Sequence, residues 1–142
     1  MLLALNGLPV LDSDESIQLV TDWFITHVEG RVPALAEAPG MLSARWYSVC
    51  NDLGTYLGDV MIERIPTVRW EFFTPSDSGL IQYQKPVVYG FTLGERTVDD
   101  ELAFDLIGTC VQIGQRVILG EPLLDRNKRF MLHELELAER YA

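Results

Sequence analysis

Positive charge is scarce in this sequence. Eleven lysine and arginine residues stand against 21 aspartate and glutamate residues, which gives a formal net charge of −10 at pH 7. Proteins that bind nucleic acid draw much of their affinity from clustered cations that face phosphates. We therefore predict that nucleic acid is not a partner. An acidic surface is compatible with plain solubility or with attraction to a basic protein or a cationic ligand.

Residues that carry nucleophilic and metal chemistry are also few, with two cysteines and two histidines. Cys50 and Cys110 lie in apolar stretches with helical spacing, where free cysteines behave as small buried hydrophobes. His27 and His133 have no catalytic signature around them, and neither flanks a cysteine in a nucleophilic motif. The chain contains no CxxC, no HExxH, no EF-hand loop and no glycine-rich phosphate motif. We predict no catalytic residue, no metal and no cofactor.

Long apolar runs are missing as well. No stretch approaches the ~20 apolar residues that span a bilayer. The opening MLLALNGLPVLDSDES lacks a basic n-region and is interrupted by Asn6, Gly7 and Pro9, so it is a poor match to a secretory signal. We expect a soluble cytoplasmic protein without membrane contact. A disulfide between Cys50 and Cys110, should their helices touch, would stay reduced in that compartment.

Helical periodicity marks the first half of the chain. Ser13 is a candidate N-cap with Asp14 and Glu15 in the first turn, and Gly30 is expected to end this helix. A second helix is predicted over residues 42–64. Its apolar face is traced by Leu42, Trp46, Val49, Cys50, Leu53, Leu57 and either Met61 or Val60.

The pattern then becomes that of strands. After Pro66, residues Val68, Trp70 and Phe72 alternate with polar residues, and the segments 80–84 and 86–91 predict further strands. Helical spacing returns after Asp99, a candidate N-cap, and residues 121–122 are expected to open a last helix. The order α-α-β-β-β-α-α predicts one α+β domain over residues 1–142, with a small antiparallel meander packed by helices.

Two glycines stand one helical turn apart inside the second predicted helix. Gly54 and Gly58 each cost about 1 kcal/mol relative to alanine, so we expect another element, the sheet, to pack closely against them. The stretch LGTYLGDVMIERIPTVRWEFF resembles small bacterial domains of unassigned activity. These share a glycine-marked helix LG-x-x-x-G-[DE], a short link, a strand with tryptophan and a later strand with proline. The matching residues are Leu53, Gly54, Gly58, Asp59, Trp70 and Pro86. The resemblance implies the fold and carries over no catalytic residue.

One stripe of the second helix collects polar residues. Asp52, Tyr56, Asp59 and Glu63 follow each other at spacings of four, three and four, so they share a helix face. That stripe is either a solvated face or a site for a cation or an acid/base pair. Alternate residues of a meander face water, and exposed aromatic residues ringed by carboxylates favour protein binding. The candidate partner-binding residues are Asp52, Tyr56, Asp59, Glu63, Trp70, Tyr83 and Tyr89.

The last predicted helix carries apolar residues on two stripes. One contains Leu124, Met131, Leu135 and Ala138, and the other contains Leu123, Phe130, Leu137 and Tyr141. A surface helix of a monomer buries only one stripe. We therefore expect dimerisation or docking on a partner to bury the second.

Three function classes remain after these observations. We favour a non-catalytic acidic interaction module, of the immunity-protein or antitoxin type, because a small acidic domain suits the masking of a basic protein surface. The first alternative is a small-molecule-binding or hydrolytic enzyme with a pocket between helix 42–64 and the sheet. The second is a structural subunit of a larger assembly, joined through its C-terminal helix.

Overall fold

The computed structural model describes residue 7 and residues 11–34, 36–72, 86–90 and 103–141, with the backbone alone for residues 71, 72, 89 and 103. Within these residues the chain forms five helices and three strands, and the α+β class is confirmed. The elements in chain order are α1 (Asp14–His27), α2 (Ala44–Arg64), β1 (Arg69–Phe72), β2 (Pro86–Tyr89), β3 (Ala103–Phe104), α3 (Leu106–Ile118), α4 (Asp125–Lys128) and α5 (Phe130–Arg140).

Helix α1 begins where its capping signal predicted. The Ser13 side-chain oxygen accepts a hydrogen bond from the Ser16 backbone N–H at 3.2 Å, which satisfies one free donor of the first turn. The helix ends at His27, three residues before the glycine that was expected to stop it. Gly30 instead forms an isolated antiparallel bridge with Leu42. That bridge closes the loop between α1 and α2.

Helix α2 is the centre of the packing. Its predicted apolar face is confirmed, because these residues are all buried: Leu42, Trp46, Val49, Cys50, Leu53, Leu57, Val60 and Met61. A Cβ atom at Gly54 would lie 2.8 Å from the backbone nitrogen of Ile107, and one at Gly114 would lie 3.2 Å from Leu42. Helices α2 and α3 therefore pack closely and run antiparallel. The glycine at position 54 serves this helix pair rather than the sheet.

The sheet is antiparallel with strand order β1-β2-β3. Trp70 pairs with Val88, which in turn pairs with Phe104. The helical spacing after Asp99 predicted that residues 103–104 belong to a helix. This prediction is wrong, because these residues form β3 and pair with β2. Helix α3 starts only after Asp105, whose Oδ1 accepts from the Gly108 N–H at 3.0 Å. The predicted strand over 80–84 and the candidate cap Asp99 lie outside the described residues.

The C-terminal region differs from the prediction in two ways. The last helical segment opens at residue 125 rather than 121, as the short α4 followed by α5. Both of its apolar stripes are largely covered by the chain itself: Phe130, Met131, Leu135 and Ala138 are buried, and Leu137 and Tyr141 are partly buried against the core. The second stripe therefore gives no separate reason to expect a dimer. Leu124 stays 51% exposed.

Candidate functional site

The polar stripe on α2 is not evenly solvated. Asp59 and Glu63 are exposed, Asp52 is half-buried, and Tyr56 is only 4% exposed. The expectation of a continuous solvated face is therefore wrong at Tyr56. The reason is that Tyr56 belongs to the hydrophobic core cluster, and its hydroxyl donates a hydrogen bond to the Leu11 carbonyl.

Trp70 joins the stripe from the neighbouring strand. Its indole ring lies against Gly58, where a Cβ would come within 2.0 Å of Cζ2, so a side chain at that position would displace the ring. The indole Nε1 donates to Asp59 Oδ1 at 3.1 Å. Glycine on one side and a carboxylate acceptor on the other fix the half-buried ring beside the exposed carboxylates. The prediction that position 58 packs against the sheet is confirmed.

Two of the predicted partner-binding residues cannot be placed in this group. Tyr83 lies outside the described residues. Tyr89 is in β2, paired with Arg69, and only its backbone is described. The site that the structure brings together therefore consists of Asp59, Glu63 and Trp70. Asp52 lies two turns earlier on the same helix.

Arg64 organises a network beside this site that the sequence did not reveal. Its Nη2 donates to the Asp12 carbonyl and, at 2.9 Å, to Asp14, while Nη1 lies 3.4 Å from a carboxylate oxygen of Glu139. Burial alone lowers the pKa of Arg64, but its bonds to these two carboxylates raise the pKa above the ordinary value. The arginine ties α1, α2 and α5 together. No local pattern links residues this far apart in sequence.

The two carboxylates of the site lie at positions where their charges lower the stability of α2. Glu63 lies in the last turn of α2, near the negative end of the helix dipole, and Asp59 lies one turn before it. Like charges at this spacing destabilise a helix by about 0.2–0.5 kcal/mol. Within the described residues, no cationic side chain pairs with either carboxylate. No cation of the described residues would therefore compete with a partner's cations for these two carboxylates.

The potential nucleophiles lie away from this surface. Cys50 and Cys110 are free thiols buried in the core, as predicted. Burial raises the pKa of Cys50 from 9.0 to about 12, and burial next to Cys50 raises that of Cys110 well above its usual value. Such thiols hold too little thiolate to act as nucleophiles.

The histidines are separated as well. His27 is exposed at the end of α1, where its Nδ1 donates to the Trp23 carbonyl at 2.8 Å and its ring packs on the Trp23 ring. His133 is half-buried on α5. Among the residues that the structure describes, no three His, Cys, Asp or Glu side chains are placed to hold a metal ion. In that same part of the chain, none of the helices has the length and apolar character needed to cross a membrane.

Comparison with known proteins adds no relative. A scan against protein-family models and searches of curated proteins and of solved structures found no match to this chain. Its function is therefore inferred from its own geometry and charge.

Proposed function

We propose that this protein is a non-catalytic interaction module that binds a basic protein partner through the C-terminal half of α2 and the adjoining Trp70. The observation that carries the proposal is the placement of two exposed carboxylates, Asp59 and Glu63, beside an indole ring fixed by Gly58. Neither carboxylate forms an ion pair with a described residue. A net charge of −10 supports attraction of such a partner over distance.

The arrangement suits recognition of lysine or arginine side chains. Five other surface carboxylates form ion pairs with the chain's own arginines, among them Glu29 with Arg45 and Glu136 with Arg129. Among the described residues, no arginine or lysine competes in this way for Asp59 or Glu63. Tryptophan is enriched at the energetic centres of interfaces, and a ring already held in place loses little conformational freedom on binding.

The concrete form that we propose is an immunity-type or antitoxin-type protein that masks a basic surface of a toxic partner. Complementary charge speeds the encounter of two proteins and discriminates against wrong partners, which suits a masking protein. The free thiols Cys50 and Cys110 are compatible with a reducing compartment, so we place the module in the cytoplasm.

Affinity capture from a lysate of the native host tests this function. The tagged protein is incubated with the lysate at low and at high salt, and retained proteins are identified by mass spectrometry. We expect a basic protein in stoichiometric amount at low salt, lost at high salt because charge attraction is screened. The double variant Asp59→Asn, Glu63→Gln should also fail to capture this basic protein at low salt.

A matched control removes the same charge elsewhere. Glu37 and Glu121 are exposed. Glu37 is three residues from Gly40, which packs on Leu119, and Glu121 is two residues from Leu119. Both carboxylates therefore lie near the C-terminal end of α3. Because α3 runs antiparallel to α2, that end is far from the site. The double variant Glu37→Gln, Glu121→Gln should retain the partner. Equal capture by both double variants, or no basic protein captured by the wild type, would reject the proposal.

The two alternatives have less support among the described residues. At Gly58 the indole of Trp70 fills the space between α2 and β1. The pocket that the enzyme hypothesis expects is therefore not open at this position. The subunit hypothesis depended on a second apolar stripe of the last helix, and most of that stripe packs on the chain's own core. Neither alternative is favoured by an observation of its own.

A further inference from the structure

A short segment ahead of α1 is hydrogen-bonded to two side chains of α2. We call residues 11–12 the strap. Within the described residues, its main chain is hydrogen-bonded only by the Tyr56 hydroxyl, to the Leu11 carbonyl, and by Arg64, to the Asp12 carbonyl. The strap joins α1 through the N-cap Ser13, whose own bond to the helix does not depend on these contacts.

The strap is exposed on its outer side. Leu11 is 61% exposed and the Asp12 side chain is exposed too, so lifting the strap costs little buried apolar surface. Segments with few buried contacts open at far lower free energy than the core does. Arg64 would stay in place on its carboxylate partners Asp14 and Glu139.

The tyrosine that bonds to the strap belongs to the stripe of the proposed site. Tyr56 precedes Asp59 by three residues on α2, and its ring packs in the core cluster while its hydroxyl reaches the strap. Tyrosine combines a large apolar ring with a polar tip, which is why it is common in protein interfaces. Release of the hydroxyl from the strap would add a hydrogen-bond donor beside the carboxylates.

We propose that the strap is a latch on the partner-binding face, which opens while the core stays folded and frees Tyr56 for the partner. In the closed state the Leu11 carbonyl accepts the Tyr56 hydrogen bond, and in the bound state an acceptor of the basic partner protein takes its place. The latch role rests on the proposed function, whereas the opening itself is measured without any partner.

Chemical acetylation of tyrosine hydroxyls measures the opening. The full chain is treated with N-acetylimidazole, and the modification of each tyrosine is followed by peptide mass spectrometry. Tyr47, which lies on the same helix and is 37% exposed, is the internal reference for an accessible tyrosine. Cys50, fully buried and six residues before Tyr56 on the same helix, is labelled in parallel with a thiol reagent and reports opening of the core.

In the wild type we expect Tyr56 to react more slowly than Tyr47 but well before Cys50. Low urea should accelerate Cys50 and leave Tyr56 almost unchanged, because local opening exposes little surface. If Tyr56 were modified only as fast as Cys50, local opening of the strap would be refuted. The proposed function would be unaffected by that result.

Two matched arginine variants test what holds the strap closed. Arg64→Gln removes the bond to the Asp12 carbonyl, and we expect Tyr56 to react about fivefold faster, as the loss of one hydrogen bond implies. Burial and the nearby Asp12 raise the pKa of Tyr56 to about 12, whereas the positive charge of Arg64 acts to lower it. Loss of the arginine charge would make the Tyr56 phenolate rarer and would by itself slow acetylation. Faster acetylation of Tyr56 in Arg64→Gln would therefore indicate opening of the strap.

Arg45→Gln is the control for this change, because it removes an arginine from the same helix together with an exposed ion pair to Glu29. It should leave Tyr56 unchanged. An unchanged rate in Arg64→Gln would overturn the strap. With a captured partner in hand, Tyr56→Phe should weaken capture and Tyr47→Phe should not; equal capture by both would overturn the latch role.

Discussion

The contact of α2 with α3 at Gly54 allows a sharp test of the packing. In Gly54→Ala, the new Cβ would lie 2.4 Å from Ile107 Cγ1, 2.8 Å from its backbone nitrogen and 2.9 Å from its Cα. The isoleucine side chain is able to turn away, but the two backbone atoms belong to the first turn of α3. Asp105 holds that turn through the Gly108 N–H and the Thr109 hydroxyl, each at 3.0 Å. The start of α3 would have to move by about 0.6 Å to restore ordinary contact.

The expected magnitude follows from two opposing effects. Replacing a glycine inside a helix by alanine stabilises by about 1 kcal/mol. Overpacking of a close contact costs about 1–3 kcal/mol. Because rigid backbone is displaced here, we expect Gly54→Ala to lower the free energy of unfolding by about 1–2 kcal/mol. Gly58→Leu, which would displace the Trp70 ring, should cost more than about 2 kcal/mol.

Gly114→Ala, at a second glycine of α3, is the control. Its Cβ would meet side-chain atoms of Leu42, Phe24 and Val28 at 3.2–3.3 Å, so side chains need to yield by only a few tenths of an ångström. The gain in helix propensity should then cancel most of the cost, within about 0.5 kcal/mol. Urea unfolding followed by far-UV circular dichroism gives the free energies of both variants. If Gly54→Ala proved as stable as Gly114→Ala, the close backbone approach inferred at Gly54 would be refuted.

Two further predictions concern buried ionisable groups. Burial raises the pKa of Glu134 above 4.5, so the folded state holds its proton more tightly than the unfolded chain does. Stability contributed by this group is therefore present below the unfolded pKa and is lost as pH rises through the folded pKa. Glu134→Gln should match the wild type at about pH 4 and become the more stable protein toward about pH 7, as measured by urea unfolding; a difference independent of pH would contradict this. Cys50 and Cys110 should be almost unreactive toward a disulfide reagent at about pH 8 in the native protein, because burial raises the pKa of both thiols. With a pKa of about 12, Cys50 is ionised only to about one part in ten thousand at that pH. Both should react at once in denaturant, and rapid labelling of the folded protein would contradict their burial.

The parts of the fold that the sequence predicted well are those set by neighbours along the chain. The N-cap at Ser13 and the apolar face of α2 depend on spacings of three and four residues within one helix, and these spacings can be read directly. The close approach at Gly58 was also foreseeable, because two glycines inside a helix need a compensating contact. The carboxylates of the candidate site followed from the same periodicity.

Contacts between distant segments decided the rest. Residues 103–104 have helical spacing, yet their pairing with β2 makes them a strand, and periodicity carries no information about that partner. Tyr56 has the spacing of a surface residue but packs in the core cluster, with its hydroxyl bonded to the Leu11 carbonyl. Arg64 has partners on α1 and α5. Composition and local spacing are enough to predict the first two helices, the acidic character and the buried thiols. The burial of Tyr56, and the described carboxylates that pair with an arginine, follow instead from segments brought together by folding.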